Sequence, residues 1–139
     1  MPHFKNQPMH ASSSEAVTNN VRVEVESHYA PDHSQPFQNH WFFHYTIKIT
    51  NEGDDTVQLL SRHWIITDAE HRVQEVRGEG VVGEQPQLAP GESFTYSSFC
   101  PLPTPLGSMR GSYRMRRDDG SEFEAPIPVF TLATPHCLN

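Results

Sequence analysis

The 139-residue sequence predicts an all-β fold, an antiparallel β-sandwich of about seven to eight strands. Apolar residues alternate with a period of two along several segments, which is typical of half-buried strands. Twelve prolines and eight glycines favour many turns over long helices. Because no segment shows helical periodicity, short strands at regular spacing account for the chain from Val21 onward.

The first half of the chain contains three predicted strands. The first begins at Val21 with valines at alternate positions, and a proline-containing loop from Tyr29 to His40 follows it. The apolar face of the second consists of Phe43, Tyr45, Ile47 and Ile49. The third, Thr56 to Thr67, is apolar at both parities, which indicates either a central strand covered on both faces or a bulge that switches its faces.

The second half continues with a short strand around 72–76, a glycine-rich segment, a Pro90-Gly91 turn and a strand around 94–98. The last two strands form a hairpin whose register the pattern predicts. A three-residue loop at 118–120 pairs Met115 with Phe123, and it sets Arg114 and Arg116 against Glu122 and Glu124. It also places Gly120 at a position that requires a left-handed backbone.

Composition limits the classes of function. Residues 1–18 are polar and are predicted to be a flexible tail, and residues 19–139 are predicted to be one domain. The net charge of −7 argues against nucleic-acid binding. The absence of a signal-like or membrane-spanning apolar run predicts a cytoplasmic protein without membrane contact. Two distant cysteines predict neither a disulfide framework nor a zinc motif.

Three blocks of sequence resemble the ApaG family. They are V-Q-L-L-S-R-H-W at 57–64, G-E-G-V-V-G-E-Q-P-Q-L-A-P-G-E at 78–92, and T-P-L-G-S-M-R-G-S-Y at 104–113. The resemblance extends from about Val21 to the C-terminus and implies a sandwich similar to fibronectin type III and immunoglobulin domains. It also implies a link to cobalt tolerance and magnesium efflux, or a role as a protein-binding module, with no firmly attached enzymatic activity.

The chain departs from the usual family pattern in its loops. Glu70-His71 stands where an Asn-Gly or Asp-Gly turn is common, and Phe99 stands where glycine is common. Phe94 occupies the position of the tyrosine in a fibronectin tyrosine corner, and a phenylalanine cannot form the hydroxyl bond of that corner.

Gly78, Gly80 and Gly83 have the spacing G-x-G-x-x-G of dinucleotide-binding loops. Such loops lead into a helix whose N-terminus faces pyrophosphate, but the segment after Gly83 has no helical periodicity, and glutamates surround it. We therefore predict that the glycines serve turns or bulges. A backbone nest remains the alternative, with Arg77, Gly78, Gly80 and Gly83 as the candidate anion or phosphate site.

Catalytic and metal sites are not predicted. Of the nine histidines, His40 and His44 share a strand face but lie roughly 13 Å apart at about 3.3 Å per residue, too far to ligate one ion easily. The chain has no nucleophile elbow and no paired carboxylates stand out, while His63 and Cys100 are two residues that could meet in space. No metal and no cofactor is therefore expected, and the chain is predicted not to be an enzyme.

The remaining candidate is an interaction surface that consists of Arg62, His63, Arg110, Arg114 and Arg116. Pairing with Glu122 and Glu124 across the hairpin would neutralise much of its charge. The leading hypothesis is a non-catalytic module that binds another protein, or a second copy of itself, through an exposed strand edge or its loops. A nucleotide or pyrophosphate binder and a direct divalent-metal binder remain the alternatives.

Overall fold

The computed structural model describes residues 12–138. Within that range there are short 3-10 turns but no α-helix, and the strands form two antiparallel sheets. The strands are β1 (Ser12–Thr18), β2 (Val21–Tyr29), β3 (Trp41–Asn51), β4 (Val57–Asp68), β5 (Val73–Glu79), β6 (Gln87–Leu88), β7 (Ser93–Leu102), β8 (Leu106–Arg117) and β9 (Glu122–Ala133).

One sheet has the order β1-β2-β3-β7, and the other has the order β5-β4-β8-β9 with the two-residue β6 beside β4. The predicted antiparallel sandwich is confirmed. The described part of the chain contains nine strands rather than seven to eight, because it includes β1, which was not predicted, and the very short β6.

The prediction of a flexible tail over residues 1–18 is wrong for residues 12–18. These residues form β1, which pairs with β2 from Ser12 opposite Ser27 to Thr18 opposite Val21. The Arg22 guanidinium on β2 contacts the Glu15 carboxylate on β1, which adds an ion pair to the ladder. Backbone pairing with β2 therefore makes a strand of this polar segment. Its apolar residues are too few to produce the alternation that predicts a strand. The rest of the predicted tail, residues 1–11, lies outside the described residues.

The core lies between the two sheets, where the predicted inward-facing residues meet. Val21, Val23 and Val25 on β2 are buried, as are the apolar residues predicted for β3. The facing sheet contributes a further group of fully buried side chains: Leu59, Met109, Tyr113, Met115 and Leu132. Alternation along the strands thus identified the core-facing side of both sheets correctly.

Strand β4 contains the predicted bulge. Its register with β8 shifts between Leu59 and Ser61. Val57 and Leu59 are buried before the shift and Trp64 after it, so the inward-facing positions change from odd to even. The bulge explains the apolar residues at both parities, and it places His63 on the outer face of the sheet.

The β8–β9 hairpin has the predicted register. Met115 lies opposite Phe123, Arg114 opposite Glu124 and Arg116 opposite Glu122. Gly120 adopts a φ of 86°, in the left-handed region that the three-residue loop requires.

Candidate functional site

The two sides of the sandwich differ in how their edge strands are covered. On one side, β1 and β9 belong to different sheets and contact each other. On the other side lie the edges β5 and β7, and β5 packs mainly against β4. Most of β5 is exposed, and Val76 is its only apolar side chain that packs against the core. Strand β5 is therefore held by its backbone pairing with β4 more than by burial.

The hydrogen-bond pattern shows which groups of β5 face outward. The Gly80 N–H donates to the Leu60 carbonyl at 2.8 Å, and the Asp68 N–H donates to the Arg72 carbonyl at 3.1 Å. In an antiparallel ladder, hydrogen-bonded and non-hydrogen-bonded pairs alternate. The even-numbered residues of β5 therefore bond to β4, and the N–H and C=O groups of the odd-numbered residues point towards the open edge.

The turn before β5 is fixed by a nearly buried carboxylate. Asp68 Oδ1 accepts the N–H groups of Glu70 and Arg72, and its Oδ2 accepts Arg72 Nε at 2.7 Å. Burial alone would raise the pKa of Asp68, but these hydrogen bonds outweigh it and hold the pKa below its usual range. His71 takes a left-handed φ of 64° in this turn.

A polar groove of about 390 Å³ lies beside β5 on the outer face of the five-stranded sheet. It brings together residues from both predicted candidate sites. The lining residues are Ser61, Arg62, His63, Arg77, Gly78, Glu79, Ser112, Arg114 and Glu124. Arg110 and Arg116 lie on the same strand face as Arg114, since they alternate with the buried residues of β8.

The charges in and beside this groove are largely paired. His63 Nε2 lies 2.7 Å from Glu75 Oε1, and Arg77 Nη2 lies 3.4 Å from the same oxygen. The hydrogen bond with His63 and the nearby Arg77 hold the pKa of Glu75 below its usual range. Arg114 Nε contacts Glu122 Oε1 at 2.6 Å, and Arg116 reaches Gln58 at 3.3 Å. The groove and the arginines beside it thus form a mixed surface rather than a purely cationic one.

Arg62 lines the groove together with His63, but its side chain does not point to the outer face as that of His63 does. Its side chain is on the opposite face of β4, where Nη1 donates to the carbonyls of Glu79 at 3.0 Å and Gly80 at 2.9 Å. The guanidinium occupies the space above Gly78, where an added Cβ would approach it to 2.8 Å. Arg62 therefore anchors the end of β5, and of these two predicted residues only His63 directs its side chain to the outer face.

The glycines of the G-x-G-x-x-G string have conformational roles. Gly80 and Gly83 have left-handed φ values of 63° and 82°. A Cβ on Gly80 would lie 2.3 Å from the Glu84 carbonyl oxygen. No helix follows, because the chain continues into β6. The prediction that the glycines serve turns or bulges is therefore confirmed for Gly80 and Gly83, whereas Gly78 lies within β5 and has no positive φ.

The amides of this loop are largely used within it. Val81 and Glu84 exchange backbone hydrogen bonds at 2.8 and 2.9 Å, and Val81 is buried. The Gly80 amide bonds to Leu60. An anion at this loop would compete with these bonds, so the candidate site with Arg77 remains a prediction without added support from the geometry.

Comparison with known proteins shows the family. The model of the ApaG domain matches residues 31–117. The chain belongs to the ApaG domain family. The protein ApaG of Bordetella pertussis is 56% identical over 119 residues, which cover 86% of this chain and 91% of that protein. The protein ApaG of Methylobacterium sp. (strain 4-46) is 54% identical over 121 residues, 87% of this chain and 93% of that protein.

Solved structures agree with this ApaG fold. A crystal structure from Bordetella pertussis matches with a TM-score of 0.81 and 56% identity, over 83% of this chain and 94% of that chain. An X-ray structure from the Northeast Structural Genomics Consortium matches with a TM-score of 0.82 and 44% identity, over 89% and 94%. Among the described residues, no helix is long and apolar enough to cross a membrane.

Cys100 and His63 lie apart in the ApaG domain. Cys100 is buried in the core, where burial raises the pKa of its thiol to about 12, while His63 lies on the outer face of the other sheet. A thiol with that pKa is not a nucleophile at neutral pH. The described part of the chain contains no cluster of three or more His, Cys, Asp or Glu residues suited to a metal ion.

Sequence analysis missed two side-chain pairs of this ApaG domain. His28 and His44 lie directly opposite each other on β2 and β3, with ring centroids 5.0 Å apart, and Phe99 packs on His44 at 5.2 Å. The hydroxyl groups of Tyr96 and Tyr113 bond to each other in the core. The histidine pair is a contact between neighbouring strands, so knowledge of the strand register would have indicated it. The tyrosine pair is a contact between the two sheets.

Proposed function

We propose that this ApaG-domain protein is a non-catalytic protein-interaction module that accepts an extended segment of a partner along the open edge of β5. The observation that carries the proposal is the outward direction of the N–H and C=O groups of Val73, Glu75 and Arg77. An edge of this kind is a template for strand addition, in which main-chain hydrogen bonds provide affinity.

The other edges are less suited to strand addition. Strand β9 carries Pro126 and Pro128, which lack an N–H, and it is in contact with β1. Strand β7 carries Pro101 near its end. Strand β5 contains no proline and ends at the Arg62 anchor. Of the edges in the described part of the chain, β5 is therefore the one that we expect to pair with another strand.

A cleft beside β5 supports side-chain recognition. It has a volume of about 340 Å³ and lies between β5 and the end of β7. Its lining includes Ile66, Val73, Pro101, Leu102 and Pro103. Val73 borders the cleft, but its side chain is on the other face of β5, together with those of Glu75 and Arg77. We therefore expect a partner segment with an apolar side chain towards the cleft and charged side chains on the opposite face.

The link to cobalt tolerance and magnesium efflux, which the family resemblance implies, would then act through the partner. This fits a chain whose candidate site is made of paired charges and a strand edge. The pyrophosphate alternative is less favoured, since the amides of Gly80, Val81 and Glu84 are bonded within the fold.

The test is to block the edge without removing a bond to β4. In Glu75→Pro, the lost N–H is one that faces outward, so we expect the domain to fold while strand addition fails. Glu75→Ala is the matched control, because it removes the same carboxylate and its contacts with His63 and Arg77. Affinity capture from cells with quantitative mass spectrometry should recover a partner with the wild type and Glu75→Ala but not with Glu75→Pro.

Equal recovery with all three proteins would contradict the proposal. Thermal unfolding of each variant provides the folding control. Should Glu75→Pro not fold, the pair Arg77→Pro and Arg77→Ala repeats the comparison at the next outward-facing amide.

A further inference from the structure

We infer that a second copy of the chain is itself a partner of this edge, through antiparallel pairing of β5 with β5 about a two-fold axis at Val76. The inference rests on the proposed function, because it uses the same outward-facing groups. A two-fold interface requires that one surface be complementary to itself. The sequence of β5, V-Q-E-V-R-G-E, meets this requirement in one register.

The pleat restricts where the axis can lie. In an antiparallel ladder, directly opposed residues direct their side chains to the same face. An axis between two residues would oppose an outer-face residue to an inner-face one, so the axis must pass through a residue. Only registers centred on one residue of β5 therefore preserve the two faces of the sheet.

Charge selects among these registers. An axis at Glu75 opposes two carboxylates, and an axis at Arg77 opposes two guanidinium groups and also sets Glu75 against Glu79. An axis at Gly78 would require the Glu79 carbonyl, which already accepts Arg62. Of the registers that remain, the axis at Val76 is the one that forms opposite-charge pairs within β5, because it sets Glu75 against Arg77 of the second copy and, by symmetry, Arg77 against Glu75.

The register centred on Val76 also pairs the backbone hydrogen-bonding groups and brings apolar side chains together. Glu75 and Arg77 both have outward-facing N–H and C=O groups, so each such pair can exchange two hydrogen bonds. Val76 then meets its symmetry mate in a non-hydrogen-bonded pair, whose Cα atoms are closest at about 4.5 Å. The half-buried valine gains an apolar neighbour, and the five-stranded sheets of the two copies become continuous.

A charge swap tests the register. Sedimentation velocity of the full chain over a concentration series should show a monomer–dimer equilibrium for the wild type. Glu75→Arg opposes four guanidinium groups at the interface and Arg77→Glu opposes four carboxylates, so each should weaken the dimer about tenfold or more. An equimolar mixture of these two variants restores both opposite-charge pairs and should form a heterodimer. The double variant E75R/R77E should also dimerise.

The control variant is Arg110→Glu, which makes the same charge change on the same sheet face away from β5, and it should leave the dimer unchanged. If mixing restores dimerisation, misfolding of either variant cannot explain why each variant alone dimerises weakly, since the mixture contains the same two proteins. A wild type that stays monomeric up to about 1 mM, near the weak limit of specific affinity, would overturn the inference. A dimer that is insensitive to the swap would also overturn it. Neither of these two outcomes affects the capture experiment with Glu75→Pro, which tests the proposed function separately.

Discussion

Replacing Gly111 by alanine should destabilise the domain by more than about 3 kcal/mol, enough to leave little folded protein. Gly111 lies opposite Trp64 in the centre of the sheet, where β4 and β8 come very close. An added Cβ would lie 1.9 Å from the His63 carbonyl oxygen, which is backbone and cannot rotate away. The register of β8 with β9 also shifts next to this glycine. Gly111 is required because β4 and β8 approach each other closely at this point, and not because the backbone must be flexible.

Urea unfolding monitored by circular dichroism measures this effect. The matched control is Gly83→Ala, which has a left-handed φ of 82° but no heavy atom within 4 Å of the added Cβ. It should cost only about 1–2 kcal/mol, the penalty of a left-handed alanine. Equal and small losses for both variants would show that β4 and β8 are farther apart than described.

Removing one hydroxyl of the Tyr96–Tyr113 pair should cost about 1–3 kcal/mol, because the other hydroxyl is left buried without this partner. Tyr113 is fully buried and Tyr96 is 7% exposed. Burial raises the pKa of both phenols, so both remain neutral donors and acceptors at physiological pH. We therefore expect Tyr96→Phe and Tyr113→Phe to lower the free energy of unfolding by similar amounts.

The double variant Tyr96→Phe/Tyr113→Phe distinguishes a paired bond from two independent effects. With both hydroxyl groups gone no unpaired group remains, so the double variant should lose no more than either single variant. Denaturant titrations of the four proteins complete the cycle. Additive losses would mean that the two hydroxyl groups have separate partners.

Much of the fold was predictable because alternation and turn chemistry act locally. The β8–β9 register followed from one glycine and the need to keep Met115 and Phe123 on one face. The apolar residues at both parities of β4 indicated either a strand covered on both faces or a bulge. The structure has the bulge, between Leu59 and Ser61. In each case the signal lies within a few residues along the chain.

The features that were not predicted depend on contacts distant in sequence. Strand β1 is polar and is held by its ladder with β2, so it has no apolar pattern to detect. Arg62 and His63 are adjacent, but β4 directs them to opposite faces, and a carbonyl acceptor on β5 decides the role of Arg62. The open edge of β5 becomes visible only once the order of the sheet is known.

Amide hydrogen exchange along β5, measured residue by residue in dilute protein and again at high protein concentration, tests the central claim most directly. In dilute protein, the amides of Gln74, Val76 and Gly78 should be protected by β4, while those of Val73, Glu75 and Arg77 exchange rapidly. High concentration should protect the amides of Glu75 and Arg77 first. Equal protection of odd and even residues in dilute protein would show that the edge is not open, and it would contradict this account of the binding strand.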